Sequence, residues 1–154
     1  QMHSNDIPSA MLLAERQIGK DRAAAIKTYE QVLAKTPDNF VVLNNLAFLA
    51  LEDKKLTRAE ELAKKAVSLQ RENADAADTL AQIYIAKGDK AAALKLYEEV
   101  AARPIANDDV YLNYVSVLLE LDKKALASRK LASREFKSEA AKQRAESLKQ
   151  QYGL

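Results

Sequence analysis

Apolar residues along this chain fall three and four positions apart. Val42, Leu46, Leu49 and Ala50 share one helical face, and Leu56, Ala59, Leu62, Ala63, Ala66 and Leu69 share another. Such spacing predicts amphipathic helices, and the alternation of a half-buried strand is absent. Short polar breaks divide the helices. One set falls at Gly19–Lys20, Asp53–Lys55, Gly88–Asp89 and Asp122–Lys124; a second falls at residues 36–39, 71–73 and 104–107. Breaks of two to four residues make neighbouring helices antiparallel, so the chain reads as a series of helical hairpins.

The pattern repeats every 34 positions without insertion or deletion. Asn5, Asn39, Asn73 and Asn107 form one ladder, and Ala25, Ala59, Ala93 and Ala127 a second. Leu12, Leu46, Leu80 and Tyr114 form a third, Leu13, Ala47, Ala81 and Val115 a fourth, and Tyr29, Ala63, Tyr97 and Leu131 a fifth. A fixed period of this length means one supersecondary unit copied and stacked. Each Asn precedes the first helix of a pair, where its side chain can accept the unpaired amide hydrogens of the opening turn. The Ala ladder permits close approach of two helices, and a large residue at Ala59 or Ala93 is expected to cost about 1–3 kcal/mol. Tyr29 and Tyr97 read as core aromatics beside the smaller Ala63.

Composition supports this picture. Of 154 residues 48% are hydrophobic, with only three Gly and three Pro to interrupt helices. No apolar run reaches the length of a membrane span, and no secretory leader is visible. A start at Gln1 reads as a trimmed chain. Cysteine is absent, which removes disulfides and thiolate metal sites and fits cytoplasm or bacterial periplasm equally. The net charge of +2 is uneven: from Lys123 onward nine Lys/Arg face three Asp/Glu, and the remainder has fifteen against nineteen. That tail (Lys123, Lys124, Arg129, Lys130, Arg134, Lys137, Lys142, Arg144, Lys149) reads first as a solvated face and second as a nucleic-acid or anionic-surface binder. Only Phe136 and Tyr152 offer stacking there.

Catalytic chemistry finds little support. The sole histidine, His3, lies in the lead segment 1–5, so common nucleophile–base pairs cannot be built. Asp108–Asp109 sit at a predicted helix start, where the helix dipole favours negative charge. No glycine-rich phosphate loop occurs. The chain is expected to be no enzyme and to carry no cofactor or metal.

The ladders resemble those of the tetratricopeptide repeat family. Leu46–Ala47 and Leu80–Ala81 match its Leu–small pair, Ala25, Ala59 and Ala93 its small position, Tyr29 and Tyr97 its aromatic, Gly88–Asp89 its turn, and Pro37 its closing proline. Departures are the absence of Trp, Arg71 in place of proline, Pro104 one place early, and a degenerate fourth unit with Tyr114 for Leu and Arg134–Glu135 at apolar positions. The resemblance implies an all-α, right-handed α-solenoid of four helix pairs (6–39, 40–73, 74–107, 108–136). A capping, solvating helix and tail follow at 137–154, with a turn expected near Lys137–Ser138.

It also implies a concave surface built from first-helix positions: Val41, Asn44, Phe48 and Leu51; Asp75, Asp78, Gln82 and Ile85; Leu112, Ser116 and Leu119. Ser9, Leu13 and Arg16 would extend it in the first unit. The implied partner is a protein or peptide segment, with no small-molecule substrate and no membrane span, and self-association through Tyr111, Leu112 and Leu119 is a further possibility. Family members that clamp a chaperone C-terminus use a basic residue where Asn44, Asp78 and Leu112 stand, so a neutral or basic segment is expected instead. Two alternatives accompany this reading. One is a fragment of a longer bacterial repeat protein serving envelope polysaccharide export; the other is the basic-tail binder.

Overall fold

The computed structural model describes residues 6–154; the lead segment 1–5, with His3 and the Asn5 rung, lies outside the described residues. Among these the secondary structure is nine α-helices and no strand. Two compact units meet at Arg71 and Glu72. The first holds α1 (Ile7–Ile18), α2 (Arg22–Lys35), α3 (Phe40–Glu52) and α4 (Leu56–Leu69). The second holds α5 (Ala74–Ala86), α6 (Lys90–Val100), α7 (Asp108–Glu120), α8 (Lys124–Ala132) and α9 (Glu139–Tyr152). The architecture is the all-α hairpin repeat that the periodicity predicts.

The Asn ladder is a ladder of caps. The side chain of Asn39 accepts from the amide of Val42, that of Asn73 from Asp75 and Ala76, and that of Asn107 from Asp109 and Val110. Each such cap is worth about 1 kcal/mol. The Ala ladder marks closest helix approach, since Ala25, Ala59, Ala93 and Ala127 are all fully buried.

Unit 1 is closed by Tyr29, Val32, Val42, Leu43, Leu46 and Leu49, and unit 2 by Ile83, Tyr97, Leu112, Val115, Val117 and Leu118, all buried. Charge pairs recur 68 residues apart at the turns. Arg22 donates to Glu52 (2.6 Å), Asp53 (2.8 Å) and the Leu49 carbonyl (2.7 Å), and Lys90 pairs with Glu120 at 2.8 Å. In each case a cation at the start of one helix sits beside the negative C-terminal end of the next.

Three hairpin turns share one geometry at 34-residue spacing. Lys54, Gly88 and Asp122 take positive φ (59°, 87° and 60°). Behind each, the next amide reaches back five residues: Lys55 to Ala50 O, Asp89 to Tyr84 O and Lys123 to Leu118 O. This is a left-handed helix stop. The α1–α2 turn is different. Gly19 keeps right-handed φ (−84°), and the amides of Lys20 and Asp21 both bond Gln17 O.

That turn accompanies a different roll of α1, which corrects the Leu12 and Leu13 rungs. Ala10 and Ala14 are buried against α2, while Leu12 and Leu13 are 49% and 50% exposed. The ladder would place Leu13 where Ala47 and Ala81 sit, pressed on the fully buried Ala25. A leucine overpacks that contact, and the Ala10–Ala14 face gives the close approach instead. Thr28 secures it by donating to Gln17 Oε1 at 3.0 Å.

The last two helices are separate, and α8 already stops at Ala132, ahead of the turn expected near Lys137–Ser138. Arg134 leaves the helix to bond Asp108, Ile105 O and Ala106 O. Ser138 then caps α9 by accepting from the Ala141 amide. Helix α9 turns Ala141 and Ala145 inward and leaves most of its polar residues outward. It covers the apolar face of α7 with which the last hairpin would otherwise meet water.

Candidate partner-binding surface

In unit 1 four of the residues singled out in the sequence lie on α3. Its core face is filled by Val42, Leu43, Leu46 and Leu49. Val41, Asn44, Phe48 and Leu51 fall on an adjoining face, three and four residues apart. Val41 is 42% exposed and Phe48 49% exposed, so neither is spent on the core of the unit. Leu51 is half-buried. Asn44 is half-buried too, and its Oδ1 is enclosed without a hydrogen-bond partner. In α1, Ser9, Leu13 and Arg16 are exposed.

Unit 2 distributes its predicted residues differently. Asp75 is exposed and accepts from Asn107 Nδ2 at 3.1 Å. Asp78 and Gln82 turn toward a buried phenol: Tyr97 Oη donates to Asp78 Oδ1 at 2.5 Å and accepts from Gln82 Nε2 at 3.0 Å. Asn113 Nδ2 adds bonds to both oxygens of Asp78, at 2.9 and 3.2 Å, and Arg144 of α9 donates to Asn113 Oδ1 at 2.7 Å. Burial pushes the Asp78 carboxyl above its ordinary range, with the Tyr97 and Asn113 bonds pulling the other way. Burial, and then the Asp78 charge, push the Tyr97 hydroxyl far above the usual phenol range. The pair is an internal brace.

Two predicted contacts are corrected outright. Leu112 is 0% and Leu119 3% exposed, so both belong to the core of unit 2, and neither offers a surface for a ligand or a second copy. The family resemblance assigned them at the register of Asp78 and Ile85, whereas α5, α6, α8 and α9 all pack on α7. Ile85 is half-buried against the same core. Ser116 is half-buried and donates to Leu112 O. Asn113 and Arg144 were missed. Asn113 stands 68 positions after Asn45, whose Nδ2 donates to Tyr29 Oη in unit 1, so the period carried a signal for it.

Part of the basic tail is engaged. Arg134 pairs with Asp108 at 2.6 Å and Lys149 with Glu146 at 2.6 Å, and Arg144 bonds Asn113. The dipole reading of Asp108 is therefore incomplete: hydrogen bonds from the Lys137 amide and Arg134 hold its carboxyl below the ordinary carboxylate range. Among the described residues no group of three or more His, Asp or Glu side chains could hold a metal ion. No helix there is long and apolar enough to cross a membrane.

Helical hairpins of fixed period, small residues at the crossings and a solvating last helix define an all-α helical-repeat protein. Family models described as tetratricopeptide repeat match residues 19–83 and 73–103, together more than half of the chain. The chain belongs to the tetratricopeptide repeat family. The first match begins after α1, the helix that departs from the repeat register.

Solved structures share the fold. The MamA protein is 22% identical with a TM-score of 0.70, covering 84% of this chain and 72% of its own. The first tetratricopeptide repeat of Spaghetti (RPAP3), bound to the HSP90 peptide SRMEEVD, is 21% identical with a TM-score of 0.69, covering 79% of this chain and 97% of its own. A tetratricopeptide repeat protein from Parabacteroides merdae is 18% identical with a TM-score of 0.77; it covers 97% of this chain, which spans 61% of that protein. No curated protein matches the sequence.

Proposed function

We propose that this chain is a non-enzymatic interaction module that captures a segment of another protein on the exposed face of α3. Tetratricopeptide repeats generally mediate protein–protein interaction, and one similar structure holds a peptide. The observation that carries the reading here is the pair Val41 and Phe48. Two large apolar side chains stand half exposed on one helical face, beside the enclosed and unpartnered Oδ1 of Asn44. An exposed apolar anchor on a helical face suits a peptide, whose side chains can pack against it.

The charge of the segment follows from α3 itself, which carries no Lys or Arg, including at the position of Asn44. A neutral or basic segment suits this set better than an acidic terminus. The basic-tail alternative is weakened, because Arg134, Arg144 and Lys149 already serve internal contacts.

The test uses peptides selected from a random display library on the full chain. Phe48→Ala combined with Asn44→Ala is expected to weaken the selected peptides by roughly tenfold or more, with helicity unchanged. Peptides that bind the double variant as tightly as the parent would remove α3 from the reading.

A further inference from the structure

Two helices of unit 2 stop early, and the loops replacing their last turns line one cleft. The period carries the end of α4 at Leu69 onto Arg103 and Lys137, whereas α6 ends at Val100 and α8 at Ala132. Pro104 accounts for the first stop, because proline disfavours helical backbone in the residue before it. The bonds of Arg134 to Asp108 and the 105–106 carbonyls account for the second. What remains is an open cleft of about 500 Å³, within the range of small-molecule sites.

Its floor is apolar, with Pro104, Ile105 and the ring of Tyr111, and its wall carries Arg103, Lys130 and Arg134. The three cations are not equivalent. The Arg134 guanidinium is committed to Asp108 and two backbone carbonyls and lies 4.3 Å from the Tyr111 ring centroid. Arg103 pairs with Glu72 in an exposed contact. Lys130 lies 4.6 Å from the centroid of Tyr114 and 5.9 Å from that of Tyr111, and among the described residues no carboxylate pairs with it. An ammonium held over aromatic faces keeps its N–H donors for an oxygen acceptor. Opposing charge is present as well. Glu135 lines the cleft, and the carbonyl ends of α6 and α8 are negative. Field and volume together favour one compact anionic group on an organic body over a polyanion.

We propose that this cleft binds a small phosphate ester, its phosphate on Lys130 and Arg103 and its organic part over Pro104, Ile105 and Tyr111. The site shares no residue with the peptide surface on α3, and the two readings stand or fall separately.

Phenyl phosphate and inorganic phosphate are the probes, titrated into the full chain at constant ionic strength and followed by amide chemical shifts. Phenyl phosphate is expected to give saturable shifts confined to the 103–111 and 130–135 segments, in about the millimolar range of so small a ligand. Lys130→Gln is expected to weaken it at least about fivefold. The exposed Arg103→Gln, which leaves the core untouched, is expected to weaken it about threefold and covers the case in which the Lys130 variant folds poorly. Shifts that rise linearly or spread over the surface would overturn the site, as would affinity unchanged in Arg103→Gln and in a folded Lys130→Gln. Equal affinity for inorganic phosphate would overturn the role given to the apolar floor.

Discussion

Replacing Tyr97 by Phe isolates the brace inside unit 2. The ring stays fully buried and only the hydroxyl goes, so packing against Tyr114, stacked at 5.5 Å, is preserved. What is lost is a 2.5 Å bond to Asp78, and Gln82 loses its acceptor. A hydrogen bond to a charged group contributes about 1.5–3 kcal/mol, and a neutral one about 0.5–1.5 kcal/mol. Asp78 keeps its two Asn113 bonds, so the lower half of the first range is the better expectation.

The pH dependence has a definite sign. Burial raises the folded-state affinity of Asp78 for a proton above its unfolded value. Its contribution to stability therefore falls as pH rises from the ordinary carboxylate value through the folded one, then levels off. Loss of the Tyr97 hydroxyl removes a bond that favours the charged form, so the fall deepens. Urea unfolding by circular dichroism should show a loss of about 1.5–2 kcal/mol at about pH 7 and no more than about 1 kcal/mol at about pH 4. In an Asp78→Asn background the same change should cost the smaller amount at both values. A loss under about 0.5 kcal/mol, or equal losses in both backgrounds, would refute the brace.

Two further outcomes test the fold. Leu12→Ala should change stability by less than about 0.5 kcal/mol, and Leu46→Ala, one rung on, should cost about 2–4 kcal/mol in chemical unfolding; similar losses would mean that α1 keeps the repeat register. Asp108→Asn should free the 133–138 loop and speed amide exchange at the start of α9. Because the folded-state carboxyl of Asp108 lies below its ordinary range, its contribution is present above about pH 4 and lost as pH falls through the folded value. The variant should match the parent in strong acid, and a difference that persists there would count against the clasp.

Much of the fold was legible because it rests on local chemistry. Asn caps act within three residues, and small residues mark crossings wherever they recur, so the Asn39, Asn73 and Asn107 and Ala25, Ala59 and Ala93 ladders held. The roll of α1 was not, because it depends on whether Leu13 fits against a neighbouring helix and on the corner that Gly19 makes. The positions on α3 were implied by the family resemblance, and Val41 and Phe48 are exposed there. In α7 the same carry-over failed at Leu112 and Leu119, since helices distant in sequence pack around α7 and both leucines are buried. The engagement of Asp78 required Tyr97, 19 residues on, and Asn113, 35 on.

The left-handed corners have a consequence of their own. Gly88 adopts its φ freely, and a side chain there would meet no atom within 4 Å. Lys54 and Asp122 hold the same conformation with a side chain attached, at about 1–2 kcal/mol of backbone penalty. Since the Gly88 corner opens on empty space, that penalty need not spread into the interior. One period thus tolerates a neutral, a basic and an acidic residue at its elbow, which makes the elbow a place where sequence can drift and electrostatic character diverge while the scaffold beneath is conserved.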